Sequence, residues 1–296
     1  MIEQFVEDII KENPLQQEFL DRSVESMNSK EIESLTRLLK AYTQQGMTSE
    51  NLASAYNVIV LDTLKEQLYF RKNKKYRYSK FSEVADEVYF SPEYMKSYMV
   101  GLALSQYLWP NHRQLRRFFQ KSIADQQGDT YMEVGPGHGL QLVDAINSKN
   151  WNQYRAVDIS ETSLELTKET LGVFEIAHEN TEFIQSDFLK DQLNTTIDAF
   201  VMGEVLEHVE SPQSFMERIK SITNESSFIF LTTCANAPAI DHIYLFNSDN
   251  EILQLAADHG FSLLDHLSVP YEGLTLEQCR ERALPINVAM VLKNDK

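Results

Sequence analysis

The 296-residue chain is 43% hydrophobic and 24% charged, enough apolar material to bury one large domain or a domain with a sizeable extension. Its net charge of −17 excludes general affinity for nucleic-acid backbones and for anionic lipid, leaving only local basic patches for such contacts. No signal-peptide core opens the sequence and no run of about 18 apolar residues suggests a membrane span. Cys234 and Cys279 form neither a metal spacing nor a disulfide framework, so a cytoplasmic protein with reduced thiols is expected.

Residues 1–125 read as helices. Apolar positions recur at helical spacing in Ile32, Leu35, Leu38 and Leu39, and again in Leu52, Ala55, Tyr56, Ile59 and Val60. A basic run follows, with Arg71, Lys72, Lys74, Lys75, Arg77 and Lys80 interleaved with Tyr76 and Tyr78; it reads as a solvated linker, with a docking patch for an acidic partner as the alternative. Ser91-Pro92 has the form of a helix start, serine as N-cap and proline at the first helical position. The helix it opens carries Tyr94, Met95, Tyr98, Met99, Leu102 and Ala103 on one side and should stop near Trp109-Pro110. That stripe reads as core, or else as an aromatic lid.

Near residue 129 the pattern changes. Strand-like runs at 131–134, 154–157, 182–184, 199–202 and 228–232 alternate with helical patterns, which implies a parallel sheet with right-handed crossovers. Ser211-Pro212 and Ser248 with Glu251 mark further helix starts, and Gly260 a helix end. Two last strand-like runs, 261–269 and 287–292, are separated by about 17 residues without a strong helical signal and are expected to be joined by a loop.

The chemistry concentrates where strands end. Tyr131-Met132-Glu133-Val134-Gly135-Pro136-Gly137-His138-Gly139 runs an apolar strand into three glycines and then a helix, a place where a ligand can approach the backbone. A dinucleotide loop would place its third glycine one residue later, where Leu140 stands. Glu133, two residues before the first glycine, disfavours a pyrophosphate and suits a ligand bearing an ammonium group. Asp158 follows Gly135 by 23 residues, the position of a ribose-binding acid, although it also has the form of a helix cap beside Ser160.

This order resembles that of the class I S-adenosylmethionine-dependent methyltransferases, whose first motif reads E/D-x-G-x-G-x-G. Gly203-Glu204-Val205-Leu206-Glu207-His208-Val209 is similar to the E-V-L-E-H-V string of the ubiquinone-type and type 11 small-molecule members. The resemblance covers residues 129–296 and implies a Rossmann-like, seven-stranded, mostly parallel sheet with an antiparallel last strand. With the helices before it, the expected organisation is a helical cap domain over 1–125 and a cofactor domain over 126–296. The resemblance implies S-adenosylmethionine as cofactor, held by Glu133, Gly135, Gly137, Asp158, Ile159, Asp187, Phe188 and Gly203, with Asp187 and Phe188 on the adenine side. In some ubiquinone-type relatives an acid–acid–histidine trio binds a divalent metal. Glu204, Glu207 and His208 stand at i, i+3 and i+4, which on a helix would let them converge, so a metal and a metal-free substrate pocket both stay open.

Methyl transfer to a hydroxyl or an activated carbon needs a base, and histidine suits neutral pH. His208 follows the fourth strand and His242 lies in the loop after the fifth, beside Asp241, so these two are the candidate catalytic residues. The expected partners are a small-molecule acceptor and, as a candidate, a second copy of the chain. Two other readings remain: a non-catalytic or accessory protein that binds S-adenosylmethionine, and a nicotinamide-dependent oxidoreductase.

Overall fold

A computed structural model describes residues 1–84, 92–190 and 197–296. Among the described residues seven α-helices and one 3₁₀ turn (Pro14–Gln16) come first: α1 (Ile2–Glu12), α2 (Gln17–Glu25), α3 (Ser29–Gln44), α4 (Ser49–Asn73), α5 (Phe81–Val84), α6 (Pro92–Leu108) and α7 (Pro110–Ile123). Two begin in reciprocal caps, Asn28 with Glu31 for α3 and Thr48 with Asn51 for α4, which satisfy N–H groups the helix leaves free. The expected cap at Ser91 lies outside the described residues. Helix α6 stops before Trp109-Pro110, as the proline requires, and Pro110 then opens α7. Of the first apolar stripe, Leu35, Leu38 and Leu39 are buried, whereas Ile32 is exposed at its edge.

Strands and helices then alternate: β1 (Gly128–Val134), α8 (Leu140–Ser148), β2 (Trp151–Asp158), α9 (Glu161–Val173), β3 (Thr181–Gln185), β4 (Ala199–Gly203), α10 (Pro212–Ile222), β5 (Phe228–Ala235), α11 (Asp249–Asp258), β6 (Phe261–Pro270), α12 (Leu276–Arg282) and β7 (Ile286–Asn294). They form one seven-stranded sheet in the order β3-β2-β1-β4-β5-β7-β6. All neighbours are parallel except β7, which lies antiparallel between β5 and β6. The expected sheet is therefore present. The connection between the last two strands is not the expected plain loop: Thr275 and Gln278 cap a seven-residue helix, α12, whose one buried side chain is Cys279. So short an element has too few turns to show a periodic stripe.

Two apolar cores flank the sheet. On one face Tyr131, Val201 and Phe230 meet α8, α9 and the N-terminal helices in a continuous cluster that reaches Phe5 and includes Tyr56, Tyr107 and Phe119. On the other, Met132, Phe200 and Leu231 meet Met216, Ile219, Ile252 and Leu255 of α10 and α11. The chain order reverses between β1 and β4. That switch point is where an open α/β sheet leaves a crevice at the carboxyl ends of its strands.

Candidate active site

A cavity of about 1020 Å³ occupies that crevice. The ends of β1, β2 and β4 form its floor, α4 and α6 wall it from the N-terminal side, and the loop after β5 borders it. Gly135, Gly137, Asp158, Ile159, Asp187, Phe188, Gly203, His208 and His242 all line it.

The glycine loop has the shape its residues permit. Gly135 sits at φ +70°, and a Cβ there would lie 2.6 Å from Cγ2 of Val205. Gly137 sits at φ +53° with the Met99 sulfur of α6 3.6 Å from where its Cβ would be. Both positions favour glycine for conformation, and Gly135 needs it for room as well; the 3.6 Å at Gly137 is ordinary contact. The hydroxyl of Thr167 pins the loop by donating to the Gly137 carbonyl at 3.0 Å. His138 accepts from the Leu140 N–H at 3.2 Å, and burial together with the nearby Arg116 charge lowers its pKa to about 3.

Glu133 departs from the expectation of a ligand-facing carboxylate. Strand side chains alternate with period two, which puts Glu133 on the same face as Tyr131. It is 1% exposed and is not among the cavity's lining residues. Its Oε2 accepts from the Tyr131 hydroxyl at 2.7 Å, and burial raises its pKa to about 8. Its neighbour Asp144 is engaged by Arg116, which reaches in from α7 with bonds of 2.6 and 2.9 Å.

Asp158 ends β2 with both oxygens occupied. Oδ1 accepts from the Ser160 N–H at 2.9 Å and Oδ2 from the Ser163 hydroxyl at 2.7 Å. Ser160 itself caps α9. Burial pushes the Asp158 carboxyl up despite these bonds. Asp187 accepts from Lys190 at 2.7 Å and from the Leu189 N–H at 3.1 Å. Burial works against its charge but these donors outweigh it, so its pKa falls. Phe188 packs between Phe200 and Phe215 at 5.6 Å from each, and Ile159 stays 41% exposed at the cavity edge.

The Glu204–His208 segment is not the helix that its spacing suggested. Glu204 takes φ +52°, its N–H bonds across to Thr232, and only Leu206–His208 form a single 3₁₀ turn. The sharp exit from β4 still brings two buried carboxyls near each other: burial raises the pKa of both Glu204 and Glu207, and Glu204 Oε1 is buried without a hydrogen-bond partner. Glu207 is fully enclosed, with Oε2 accepting from the Thr233 hydroxyl at 2.7 Å.

His208 is paired with the loop after β5. Its Nδ1 lies 3.1 Å from the Asp241 carbonyl and 3.3 Å from Asp241 Oδ2. Both acceptors stand at that nitrogen, while Nε2 lies 3.9 Å from Glu207 Oε1. His242 stands edge-on to His208 with ring centroids 4.7 Å apart. It is buried, its Nδ1 is committed to the Ala237 carbonyl at 2.6 Å, and burial lowers its pKa to about 3. Two overlapping groups of potential metal ligands form here among the described residues, Glu207 with Cys234 and His242, and His208 with Asp241 and His242. Both draw on the loop after β5, so neither is the trio read from the sequence.

The first 125 residues contribute groups that no motif announced. Tyr98 of α6 donates to Asp241 Oδ1 at 3.1 Å. Tyr76, inside the basic run, is buried against His242 with ring centroids 5.8 Å apart. The cations around it mostly face solvent; Arg77 is held by Glu66 at 2.9 Å and lies over Tyr69. Periodicity marked Tyr98 as an apolar stripe residue, and nothing local marked Tyr76.

A family model described as a methyltransferase domain matches residues 106–266. The mitochondrial ubiquinone biosynthesis O-methyltransferase of Schizosaccharomyces pombe is 31% identical over 97 residues, covering 31% of this chain and 35% of that protein. The chain thus matches about a third of the length of that curated relative. Among solved structures, the mitomycin 7-O-methyltransferase MmcR superposes with a TM-score of 0.54 at 11% identity, over 83% of this chain and 70% of that one. The N-methyltransferase NodS from Bradyrhizobium japonicum WM9, solved with S-adenosyl-L-homocysteine, superposes at 0.50 and 12% identity, over 70% and 98%. At these identities the structures speak for the fold. Among the described residues, no helix is long and apolar enough to cross a membrane.

Proposed function

The chain belongs to the methyltransferase-domain family, among the class I S-adenosylmethionine-dependent enzymes, and from that membership we propose that it methylates a small acceptor bearing no negative charge, with His208 as general base. The observation that carries this reading is one cavity joining the glycine loop and Asp158 to the His208–Asp241 pair.

The residues present suit the cofactor. The glycine loop exposes backbone that a side chain would cover. Asp158 stands at the end of β2, where a carboxylate can accept from two ribose hydroxyls, and Ile159, Asp187 and Phe188 border the adenine side. Gly203 lines the same cavity, and Glu133, bonded to Tyr131, precedes the loop on the buried face of β1. When bound, S-adenosylmethionine supplies an electrophilic methyl group on a sulfonium, so holding the acceptor in line provides most of the acceleration. His208 receives the acceptor's proton on Nε2 while Asp241 steadies the resulting imidazolium through Nδ1. His242, buried and tied to a carbonyl, braces the His208 ring.

The charge of the lining supports an acceptor without negative charge. The lining cations Arg116 and Lys190 are already paired with Asp144 and Asp187. Glu204, Glu207, Glu210, Asp241 and Glu272 line the remainder, and residues 85–91 and 191–196 contain no lysine or arginine. A carboxylate or phosphate buried there would lack a counter-charge. A base favours oxygen or carbon as the methylated atom, since a neutral amine needs none. The open acceptor side, lined by both histidines, supports an enzyme over a sensor. Residues 1–125 serve as the helical cap that walls this side, through Ile59, Met95 and Leu102. The two free, buried cysteines suit a reducing compartment such as the cytoplasm.

Calorimetry with S-adenosylmethionine and with NADH tests the cofactor. Methyl-labelled S-adenosylmethionine incubated with fractionated metabolites, followed by mass spectrometry, tests the acceptor. Tight NADH binding without S-adenosylmethionine binding, or label found only in anionic products, overturns the reading.

A further inference from the structure

We propose that Glu207, Cys234 and His242 bind one divalent ion of the zinc class, in a site closed by Tyr76 of the segment after α4. This is not the trio that the resemblance implies. Two of the three donors belong to β5 and the loop after it, and one of them is a thiol. The site stands apart from the reading of His208 as base.

The three residues are 0%, 1% and 9% exposed, and one potential ligand atom from each lies within 4.8 Å of the others. Cys234 Sγ is 3.8 Å from Glu207 Oε1 and 3.9 Å from His242 Nδ1. Zinc bonds of about 2.3 Å to sulfur and about 2.0–2.2 Å to nitrogen and oxygen put tetrahedral ligands roughly 3.5 Å apart, so small movements close the site. The backbone already holds these segments together. The Glu207 carbonyl accepts from the N–H groups of Ile243 and Tyr244 at 2.9 and 3.0 Å, which folds the loop after β5 back onto the 3₁₀ turn. Outer partners are in place as well. The Thr233 hydroxyl donates to Glu207 Oε2 at 2.7 Å, and a carbonyl beside one ring nitrogen, the usual support of a ligating imidazole, is present at 2.6 Å in Ala237.

Two further observations point to a cation. The Tyr76 hydroxyl is buried without a hydrogen-bond partner, on a residue 5% exposed whose ring stands 5.8 Å from that of His242. Burial, and after it the Cys234 and Glu207 charges, push this phenol far above its ordinary range, so it faces both as a donor. Among the described residues no lysine or arginine contacts Glu207, Cys234 or His242, and residues 85–91 and 191–196 contain none. A carboxylate and a thiolate carry two negative charges, which one divalent ion cancels. Sulfur and imidazole together select zinc over magnesium or calcium. Binding releases the Cys234 proton to solvent as the sulfur takes the ion. The overlapping group of His208, Asp241 and His242 is the poorer host, because the Asp241 oxygens already face Tyr98 at 3.1 Å and His208 at 3.3 Å.

The test adds cobalt(II) and zinc to the metal-free, full-length chain. One equivalent of cobalt is expected to give a near-ultraviolet thiolate charge-transfer band and the intense visible bands of a tetrahedral ion, both displaced by zinc and not by magnesium. Cys234→Ser should lose the charge-transfer band and weaken zinc binding at least about tenfold, whereas Cys279→Ser, at the other buried thiol, should change neither. Tyr76→Phe, which keeps the ring, should weaken zinc binding about tenfold. Circular dichroism without metal reports whether each variant folds, and the parent spectrum decides without them. A parent spectrum lacking the charge-transfer band overturns the proposal, as does a band that survives Cys234→Ser. Cobalt bound without that band and lost in Glu204→Gln places the ion on the trio of the resemblance and overturns it too. Unchanged zinc affinity in Tyr76→Phe overturns the part given to the N-terminal segment. None of these measurements needs S-adenosylmethionine or an acceptor, so their failure is distinct from a failure of the methyltransferase reading.

Discussion

Asp158→Ala isolates the cofactor half of the cavity. The carboxylate now accepts from the Ser160 N–H at 2.9 Å and the Ser163 hydroxyl at 2.7 Å, which holds it at the end of β2 facing the cavity. Two ribose hydroxyls would add charge-assisted bonds, each worth about 1.5–3 kcal/mol singly and less than additive together. A combined loss of about 2–3 kcal/mol corresponds to roughly 30- to 150-fold weaker S-adenosylmethionine binding. Asp158→Asn keeps one accepting oxygen and should lose less. Titration calorimetry at pH 7.5 reads both values. Thermal unfolding without ligand reports the separate cost of leaving Ser160 and Ser163 without their acceptor, about 1 kcal/mol. A change in affinity under twofold for Asp158→Ala, with folding intact, would refute the ribose assignment.

Once an acceptor is in hand, His208→Gln should cut turnover by roughly 10²–10⁴ with cofactor affinity unchanged, and His242→Ala should cost less than about tenfold because its Nδ1 is tied to Ala237; the reverse ranking in steady-state rates would exchange their roles. Glu133 predicts a pH dependence: the folded chain holds its proton up to about 8 whereas the unfolded chain releases it near 4.5, so its contribution to stability falls as pH rises through that window. Glu133→Gln should remove that slope, gaining on the parent between pH 5 and pH 8 by an amount on the order of a few kcal/mol; urea unfolding that shows the same difference at both pH values would contradict it. Gly135→Ala should weaken both fold and cofactor binding, since a Cβ would meet Val205 at 2.6 Å in a left-handed conformation costing about 1 kcal/mol or more; unchanged melting temperature and affinity would show that the loop yields.

The order of the motifs, the seven strands and the helix starts at Ser211 and Ser248 were legible because each is a local signal. Short apolar runs mark the strands, Ser211-Pro212 starts α10, and three glycines after an apolar strand demand a turn that other residues resist. Those same local rules mislead where the backbone changes course. The i, i+3, i+4 spacing of Glu204, Glu207 and His208 reads as a helix, but the exit from β4 through a left-handed Glu204 and a single 3₁₀ turn decides what they face. Glu133 sits in the right motif yet on the face of β1 that turns toward Tyr131 and the helical core. The partners of the candidate base lay beyond sequence altogether. Asp241 is 33 residues from His208 and Tyr98 is 143 from Asp241, and each of these bonds exists only because the sheet order and α6 bring those chain segments together. Chain folding fixes such distances through the packing of whole elements, so no pattern of neighbouring residues encodes them.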